Sequence, residues 1–346
     1  MNARRRGLMA ALPLERLVTA GALVLMAGFY VFFVLQVQWT GTRWWERAAY
    51  ETALGHNIYI MDFRIWLTHS EAEPFFGYGA GSLYGSVPLY LAAREITGDD
   101  TPDLFAQMCV VWAGAAHAGL VLVGARIVRQ QSRSRGAAAA TAAVLSLNPI
   151  LLRLGAMGDA IDVTMLCLCA LYLRHLLRGQ FRRAGLFLSL AFVVKQFPLL
   201  LFPDLIIRAV RARRRDTIAW SVLPAACLSF PFLLWSPREY LFILAGNVNA
   251  WRAIYRGEWW NVYGFLAGSG IPEAWVRALS LALLACAMGL IYWASWRRRL
   301  TALAASALIA NAFWILYHSS MATYAGWGSV LAAIALGRAW IEGGEP

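Results

Sequence analysis

A carboxylate among aromatic rings and cations stands out in the stretch of residues 56–69. Asp62 is followed within a few residues by Arg64, Trp66 and His69. A carboxylate in such a setting can take a proton from an attacking hydroxyl, which is general-base catalysis. The alternative is an exposed Asp62–Arg64 ion pair that contributes almost nothing to stability. The spacing by itself favours neither interpretation.

Other ionisable side chains interrupt or border later apolar segments. Lys195 breaks an apolar run within Lys195-Gln196-Phe197-Pro198. A lysine at membrane depth is costly without a partner and therefore indicates function, the alternative being a lysine whose ammonium reaches the interface. Asp159 and Asp162 are three residues apart and could bind a cation, or act as a helix cap and an inward-facing acid. Two further candidates of this kind are Arg153 and His318.

The composition of the chain is that of an integral membrane protein. Apolar residues make up 60% of the 346 residues and charged residues only 14%, with a mean hydropathy of +0.54, whereas a soluble chain carries about 25% charged residues. The net charge of +12 comes from short arginine clusters between apolar runs, a pattern that sets membrane topology and argues against nucleic-acid binding. The five cysteines all fall in apolar segments, which predicts buried thiols rather than disulfides.

The elements that must position these side chains are apolar helices. The chain is predicted to be an all-α polytopic protein of one domain, residues 1–346, with about ten membrane segments and both termini in the cytoplasm. Every arginine cluster then faces the cytoplasm, and large loops over 37–102 and 236–272 lie outside. Full-length segments are predicted at residues 14–36, 104–128, 137–152, 160–177, 218–235, 274–296, 300–317 and 321–340.

A pair of short helices is predicted between the clusters Arg182-Arg183 and Arg211–Arg215. Residues 184–210 are too few for two crossings, and one crossing would put a cluster on the wrong side. Because Lys195-Gln196-Phe197-Pro198 breaks the run, we expect half-helices over 184–194 and 199–210 that enter the membrane and return. Their apex would place Lys195 in a protein-lined cavity.

The outer loops are expected to carry interfacial elements. Tryptophans alternate with charges over residues 43–54, which predicts an amphipathic interfacial helix, and a second is predicted over 61–73. Residues 77–88 are rich in glycine and tyrosine and predict an irregular loop, which could approach a ligand closely or only connect its neighbours. The second loop is dense in aromatic residues, typical of a site near a lipid headgroup or of an ordinary aromatic belt.

This topology would bring Asp62, Arg153, Asp159, Lys195 and His318 to one outer face. One base and several cations suit transfer of a sugar from a lipid-linked phosphate to a hydroxyl, because cations hold the phosphate leaving group while the carboxylate deprotonates the hydroxyl. An intramembrane acid also suits a transporter or flippase of lipid-linked intermediates, in which Asp162 and Lys195 would carry the coupling or substrate charges. A non-catalytic scaffold subunit is a third hypothesis.

An ordered set of four short motifs runs along the chain. They are Asp62-Phe63-Arg64-Ile65-Trp66, Tyr84-Gly85-Ser86-Val87-Pro88-Leu89, Asn148-Pro149 followed by Gly158-Asp159-Ala160, and Lys195-Gln196-Phe197-Pro198. The set resembles glycosyltransferase family 87, a group of GT-C-fold mannosyltransferases that use polyprenyl-phosphate-mannose. The resemblance spans about residues 12–340, with departures at Tyr84–Leu89 and Gly158.

The resemblance implies a GT-C-like fold and an inverting transfer of mannose to a lipid-linked or glycan hydroxyl outside a bacterial inner membrane. Asp62 matches the family's catalytic aspartate and Lys195 its basic residue near the donor. His318 matches a late polar residue near the donor phosphate, where Arg153 and Arg64 would assist. No cofactor is expected, although other GT-C enzymes use a divalent metal, and the chain is expected to act as a monomer among membrane lipids. The acceptor or sugar side is expected to use Asp159, Tyr84, Trp66, His69, Trp259, Trp260 and Asn261.

Overall fold

Helices make up all the regular structure in the described part of the chain. The structure, a computed structural model, describes residues 14–36, 49, 52–54, 80–98, 102–156, 160–235, 237–238, 240–241, 262–267, 270–317 and 327–335. The helices are α1 (Leu14–Gln36), α2 (Ala80–Thr97), α3 (Pro102–Ser132), α4 (Arg135–Ser146), α5 (Pro149–Ala156), α6 (Ala160–Leu177), α7 (Phe181–Val194), α8 (Phe202–Arg211), α9 (Asp216–Trp235), α10 (Val262–Ala267), α11 (Glu273–Trp296), α12 (Ala302–Leu316) and α13 (327–335). A short 3-10 segment, Phe197–Leu201, joins α7 to α8.

Five of these helices, among the residues described, are long and apolar enough to cross a membrane: α1, α3, α6, α9 and α11. A sixth span results if α4 and α5, which meet at 43°, count as one broken helix. The chain is therefore a membrane-embedded helical protein, as predicted, and α1 and α6 begin and end at the predicted residues. The larger number of about ten membrane segments stays a prediction.

Arginine clusters from different parts of the chain lie together at one end of the bundle. Arg182 forms an exposed ion pair with Asp216, and Arg208 donates to the carbonyl of Leu300 at 3.2 Å. We call this region, where the loops after α3, α6, α8 and α11 meet, the arginine end. Two further contacts there are Arg178 with Gln130 and Arg211 with the carbonyl of Ser295.

The glycine- and tyrosine-rich segment is helical, so the irregular loop predicted over residues 77–88 is wrong where the structure describes it. Helix α2 covers most of that range and contains a proline. A Cβ at Gly81 would lie 2.9 Å from the Val193 side chain, and one at Gly85 would lie 2.3 Å from the Trp112 ring. These glycines therefore let α2 pack closely on α7 and α3, a role that composition alone does not distinguish from flexibility.

The bend between α4 and α5 has a local cause. Pro149 lacks the N–H that would otherwise bond to the Leu145 carbonyl. His117 of α3 donates to that oxygen in its place, with Nε2 at 2.8 Å, and the Asn148 backbone N–H donates to it at 3.4 Å. The Tyr30 hydroxyl lies 3.1 Å from Nδ1 and donates to it, which leaves Nε2 as the protonated nitrogen. Asn148 then caps α5 by accepting from two backbone N–H groups at 3.0 and 3.1 Å.

Small residues bring α7 and α9 into close contact. A Cβ at Gly185 would lie 2.9 Å from the Thr217 carbonyl. One turn later, Ser189 Oγ accepts a hydrogen bond of 2.9 Å from the Ala225 backbone N–H. Small residues four apart present one flat face, and such faces allow close helix approach in membranes. The crossing fixes α7 along its length, and so fixes the residue that follows its last turn.

The α-helix is interrupted, as predicted, at Lys195-Gln196-Phe197-Pro198. Helix α7 ends at Val194, and α8 begins only after the 3-10 segment, so the second helix is shorter than the predicted range 199–210. The start of α7 and the end of α8 both lie at the arginine end, since Arg182 in α7 contacts Asp216, which follows α8. That this pair enters the membrane and returns stays a prediction. The interfacial helices predicted over 43–54 and 61–73 lie outside the described residues, apart from 49 and 52–54.

Candidate functional site

A buried ion pair lies at the end of the bundle opposite the arginine end. Lys195 Nζ donates to Asp162 Oδ1. Asp162 belongs to the first turn of α6, whose last turn carries Arg174, and Lys195 follows the last turn of α7. At 1.5 Å per residue, Asp162 and Arg174 are about 18 Å apart along the helix axis. The pair therefore joins the far ends of two consecutive helices.

The two members of the pair are buried unequally. Lys195 is 8% exposed and Asp162 is 1% exposed. The carboxylate is thus the inner group, and the ammonium is the group nearer the surface. A buried pair gains little over apolar side chains of similar size, but removing one partner costs about 3–5 kcal/mol because a charge is left uncompensated. The pair is consequently weak evidence for stability and stronger evidence for a fixed charge.

Aromatic rings form a wall beside the ammonium. The Trp327 ring centroid lies 4.9 Å from Lys195 Nζ, within the range of a cation–π contact. Phe197 of the 3-10 segment packs against the same indole, with ring centroids 4.7 Å apart. The ring centroid of Phe313, in α12, lies 5.5 Å from that of Phe197 and 6.3 Å from that of Trp327. Three separate parts of the chain therefore form one aromatic cluster, and the tryptophan of that cluster contacts the ammonium.

Hydrogen bonds hold the start of α13, and so Trp327, in place. Asn148, the cap of α5, donates from Nδ2 to Ser329 Oγ at 3.2 Å. Asn311 of α12 donates to the Gly328 carbonyl at 3.3 Å, and a Cβ at Gly328 would lie 2.5 Å from the Asn311 side chain. The bend between α4 and α5 is thereby connected to the ring that contacts Lys195.

The structure describes three of the side chains to which the sequence analysis assigns a role in the site. Lys195 lies in the buried pair. Arg153 is exposed in the last turn of α5, the helix that leads into α6. Tyr84 lies on α2 rather than in a loop, and its hydroxyl donates to the Leu228 carbonyl at 2.9 Å. The other assigned residues fall outside the described residues, and their roles stay predictions: Asp62, Arg64, Trp66, His69, Asp159, Trp259, Trp260, Asn261 and His318.

Sequence reasoning did not identify Asp162 and Trp327 as neighbours of Lys195. The sequence offers Asp162 as a cation ligand, as a helix cap or inward-facing acid, or with Lys195 as a charge of a transporter, and the structure pairs it with Lys195. A signal was available, because an acid and a base on consecutive apolar segments each need a partner. Trp327 carried no such signal, since 16 tryptophans are spread along the chain.

The described residues offer no group of three or more His, Cys, Asp or Glu side chains that could hold a metal ion. All five cysteines are free thiols; Cys109 and Cys169 are buried, whereas the predicted burial is wrong for Cys227 and Cys286, which are exposed. What the site offers instead is a fixed ammonium beside a flat aromatic surface. A fixed ammonium binds anionic oxygen through charge-assisted hydrogen bonds, and a phosphate group is the common biological example.

The comparisons with known proteins add a family to this geometry. The sequence profile of glycosyltransferase family 87 matches residues 76–341. That range contains Asp162, Lys195 and Trp327 and begins after Asp62. No curated protein shows a significant match to the chain.

Proposed function

The chain belongs to glycosyltransferase family 87, and from this premise we propose that it moves mannose from a polyprenyl-phosphate donor to a hydroxyl of a lipid-linked or glycan acceptor. It is a membrane-embedded glycosyltransferase, and the sugar, the donor, the acceptor and the side of the membrane belong to the proposal. The transfer inverts the configuration at the anomeric carbon and takes place at the extracytoplasmic face of a bacterial inner membrane.

The observation that carries this proposal is the position of Lys195. Its ammonium is fixed at the end of α7 remote from the arginine end. Arginine-rich loops of membrane proteins face the cytoplasm, so the opposite end, with Lys195, would face outward. A polyprenyl-phosphate donor has its tail in the bilayer and its phosphate at the bilayer surface. A fixed cation at the outer end of a helical bundle is suited to that phosphate.

The proposed reaction uses one base and a set of cations. Asp62 takes the proton of the acceptor hydroxyl, whose oxygen attacks the anomeric carbon of the donor sugar. The bond from that carbon to the phosphate oxygen breaks, and polyprenyl phosphate leaves with the electron pair. Lys195 and His318, with Arg153 and Arg64, stabilise the leaving phosphate.

Contacts to the sugar and the acceptor are proposed from the outer loops and from α2. Because the Tyr84 hydroxyl already donates to the Leu228 carbonyl, the ring of Tyr84 is the part that would contact a sugar. The remaining residues proposed for this side are Asp159, Trp66, His69, Trp259, Trp260 and Asn261.

The test is a transfer assay with labelled polyprenyl-phosphate-mannose and membrane extracts as the source of acceptor. Asp62→Asn is expected to lower the turnover number about 10²–10⁴-fold, the usual effect of losing a catalytic base. Asp103→Asn is the matched control, because it removes an exposed acid from the first turn of α3 and should leave turnover unchanged. Near wild-type turnover in Asp62→Asn would refute the assigned role.

The buried pair is also the observation that favours the second candidate, a transporter or flippase of lipid-linked intermediates. In that case Asp162 and Lys195 would carry the substrate or coupling charges. Membership of a glycosyltransferase family favours the transferase. Movement of a fluorescent lipid-linked sugar across vesicles that survives Asp62→Ala and fails in Asp162→Asn would decide for the transporter.

A further inference from the structure

We propose that Asp162 and Trp327 are positioning residues that hold Lys195, charged and immobile, as a ligand for the phosphate of a polyprenyl-phosphate lipid. The inference rests on the proposed function, since it concerns the same lysine, and it adds the two groups that make the lysine usable. Neither residue has to touch the donor. Each acts through the ammonium.

Asp162 lies on the buried side of Lys195 and can stabilise its positive charge. It is the more deeply buried member of the pair and accepts from Lys195 Nζ. An isolated ammonium in an apolar surrounding is strongly disfavoured against its neutral form, whereas an adjacent carboxylate favours the charged form. The carboxylate therefore keeps a positive charge at the end of α7, where that charge can attract the phosphate of an incoming lipid.

Trp327 is placed to fix the direction of the lysine side chain. Four methylene groups give a lysine many rotamers, and ordering them costs conformational entropy. The indole face 4.9 Å from Nζ, backed by Phe197 and Phe313, offers the ammonium an attractive surface on one side. The ring and the carboxylate lie on different elements, α13 and α6, so together they define one position for Nζ.

Neighbouring helices hold the elements that carry Lys195 and Trp327 in fixed positions. Gly81 of α2 lies against the last turn of α7, where a Cβ would meet the Val193 backbone at 3.0 Å. On the other side, Asn148 and Asn311 tie down the start of α13 through Ser329 and Gly328. A lysine held in place by several packed elements binds a phosphate without first having to be ordered, which is the advantage of a preorganised site.

The first experiment separates positioning from folding by steady-state kinetics. Asp162→Asn is expected to raise the KM for the polyprenyl-phosphate donor about 10-fold or more, an effect of about 1.4 kcal/mol, with the acceptor KM unchanged. Asp162→Glu, which keeps the charge, should recover most of the donor affinity. In the same way Trp327→Leu should raise the donor KM and Trp327→Phe should do so less. A purely structural role would lower the amount of active enzyme and leave the donor KM at its wild-type value, which would overturn the proposal.

Asp204 provides a matched control for the loss of a buried acid. It is fully buried and accepts from Arg208 Nε at 2.8 Å, but it lies toward the arginine end. Asp204→Asn therefore removes a buried carboxylate from an ion pair with a partly exposed arginine and should destabilise the protein without changing the donor KM. An equal rise in donor KM in Asp204→Asn would show that any weakened helix pair has this effect, and would contradict the inference.

The second experiment does not depend on transfer. Binding of a polyprenyl phosphate is measured by calorimetry in detergent for the wild-type protein and for the double variant Asp162→Leu/Lys195→Met. Removing both charges together should keep thermal stability near that of wild type while polyprenyl phosphate binding is lost. Wild-type-like binding by the double variant, or no binding by wild type, would overturn the inference. Binding by wild type without mannose transfer would instead contradict the proposed function and leave the positioning of Lys195 supported.

Discussion

Individual glycines set how closely the helices of this protein approach one another. A Cβ added at Gly155 of α5 would lie 2.0 Å from the Tyr30 hydroxyl, whereas a Cβ at Gly28 of α1 would have no atom of the described residues within 4 Å. Gly155 thus lies in a contact that leaves no room for a side chain, whereas Gly28 has room for one. The difference allows a comparison within a single protein.

Gly155→Ala is expected to destabilise the protein by about 1–3 kcal/mol, the usual cost of forcing an extra group into a packed contact. Gly28→Ala should leave stability unchanged or raise it by up to about 1 kcal/mol, because alanine favours a helix over glycine. Thermal unfolding in detergent measures both. Equal melting temperatures for the two variants would show that Tyr30 does not pack against Gly155.

Lys195 illustrates how far single residues can be interpreted from sequence. A lysine in an apolar run needs a partner, so its importance could be predicted. An acid on the preceding apolar segment is a candidate partner, but that Asp162, 33 positions away, contacts the lysine depends on how α6 and α7 pack. Trp327 is more distant still, and its contact with the ammonium depends on the fold of the whole chain.

At the scale of elements, the bend between α4 and α5 is the feature on which the site depends most. Pro149 deprives the Leu145 carbonyl of its helical donor, and His117 replaces that donor. The cap that follows, Asn148, is also the residue that reaches Ser329 beside Trp327. The position of Trp327 in the candidate site therefore depends on the bend between α4 and α5.

A double-mutant cycle tests this account of the bend. His117→Leu leaves the Leu145 carbonyl without its side-chain donor and is expected to cost about 1–3 kcal/mol. Pro149→Ala restores a backbone N–H that can serve the same oxygen. The cost of His117→Leu should consequently be smaller in the Pro149→Ala background by about 0.5–1.5 kcal/mol. Strictly additive effects on the free energy of unfolding would mean that His117 does not replace the missing backbone donor.

Hydropathy predicted the long helices well and failed at α2. Helix α6 was predicted residue for residue because a continuous apolar run between polar flanks has one physical solution in a membrane. Helix α2 was predicted as a loop because glycine, serine, tyrosine and proline are frequent in turns. Their actual role is to accept the Trp112 ring and the end of α7 at close range, which requires knowledge of those neighbours.

At the scale of the whole molecule, charge divides the bundle into two unlike ends. One end collects the arginines that follow α3, α6, α8 and α11. The other holds the buried ion pair of Asp162 and Lys195 beside aromatic rings. This asymmetry is the physical basis for the proposed orientation, in which the arginine end faces the cytoplasm.

Cysteine labelling in intact cells tests the orientation. Arg214 and Ile271 are exposed at opposite ends of the bundle, before α9 and before α11. In a background with Cys227 and Cys286 replaced by alanine, a membrane-impermeant maleimide should label Ile271→Cys in intact cells. It should label Arg214→Cys only after permeabilisation. The reverse pattern would place the candidate site on the cytoplasmic side.

The separation of Asp162 and Lys195 along the chain has a consequence for biogenesis. At about 5–20 residues per second of synthesis, the 33 positions between them take roughly 2–7 s to translate. During that interval the ribosome has made the acid but not yet its counter-ion, and α6 alone would carry an uncompensated charge into lipid. Helices α6 and α7 are therefore best inserted as one hairpin. A substitution at either residue would then reduce how much protein reaches the membrane, as well as what the protein does there.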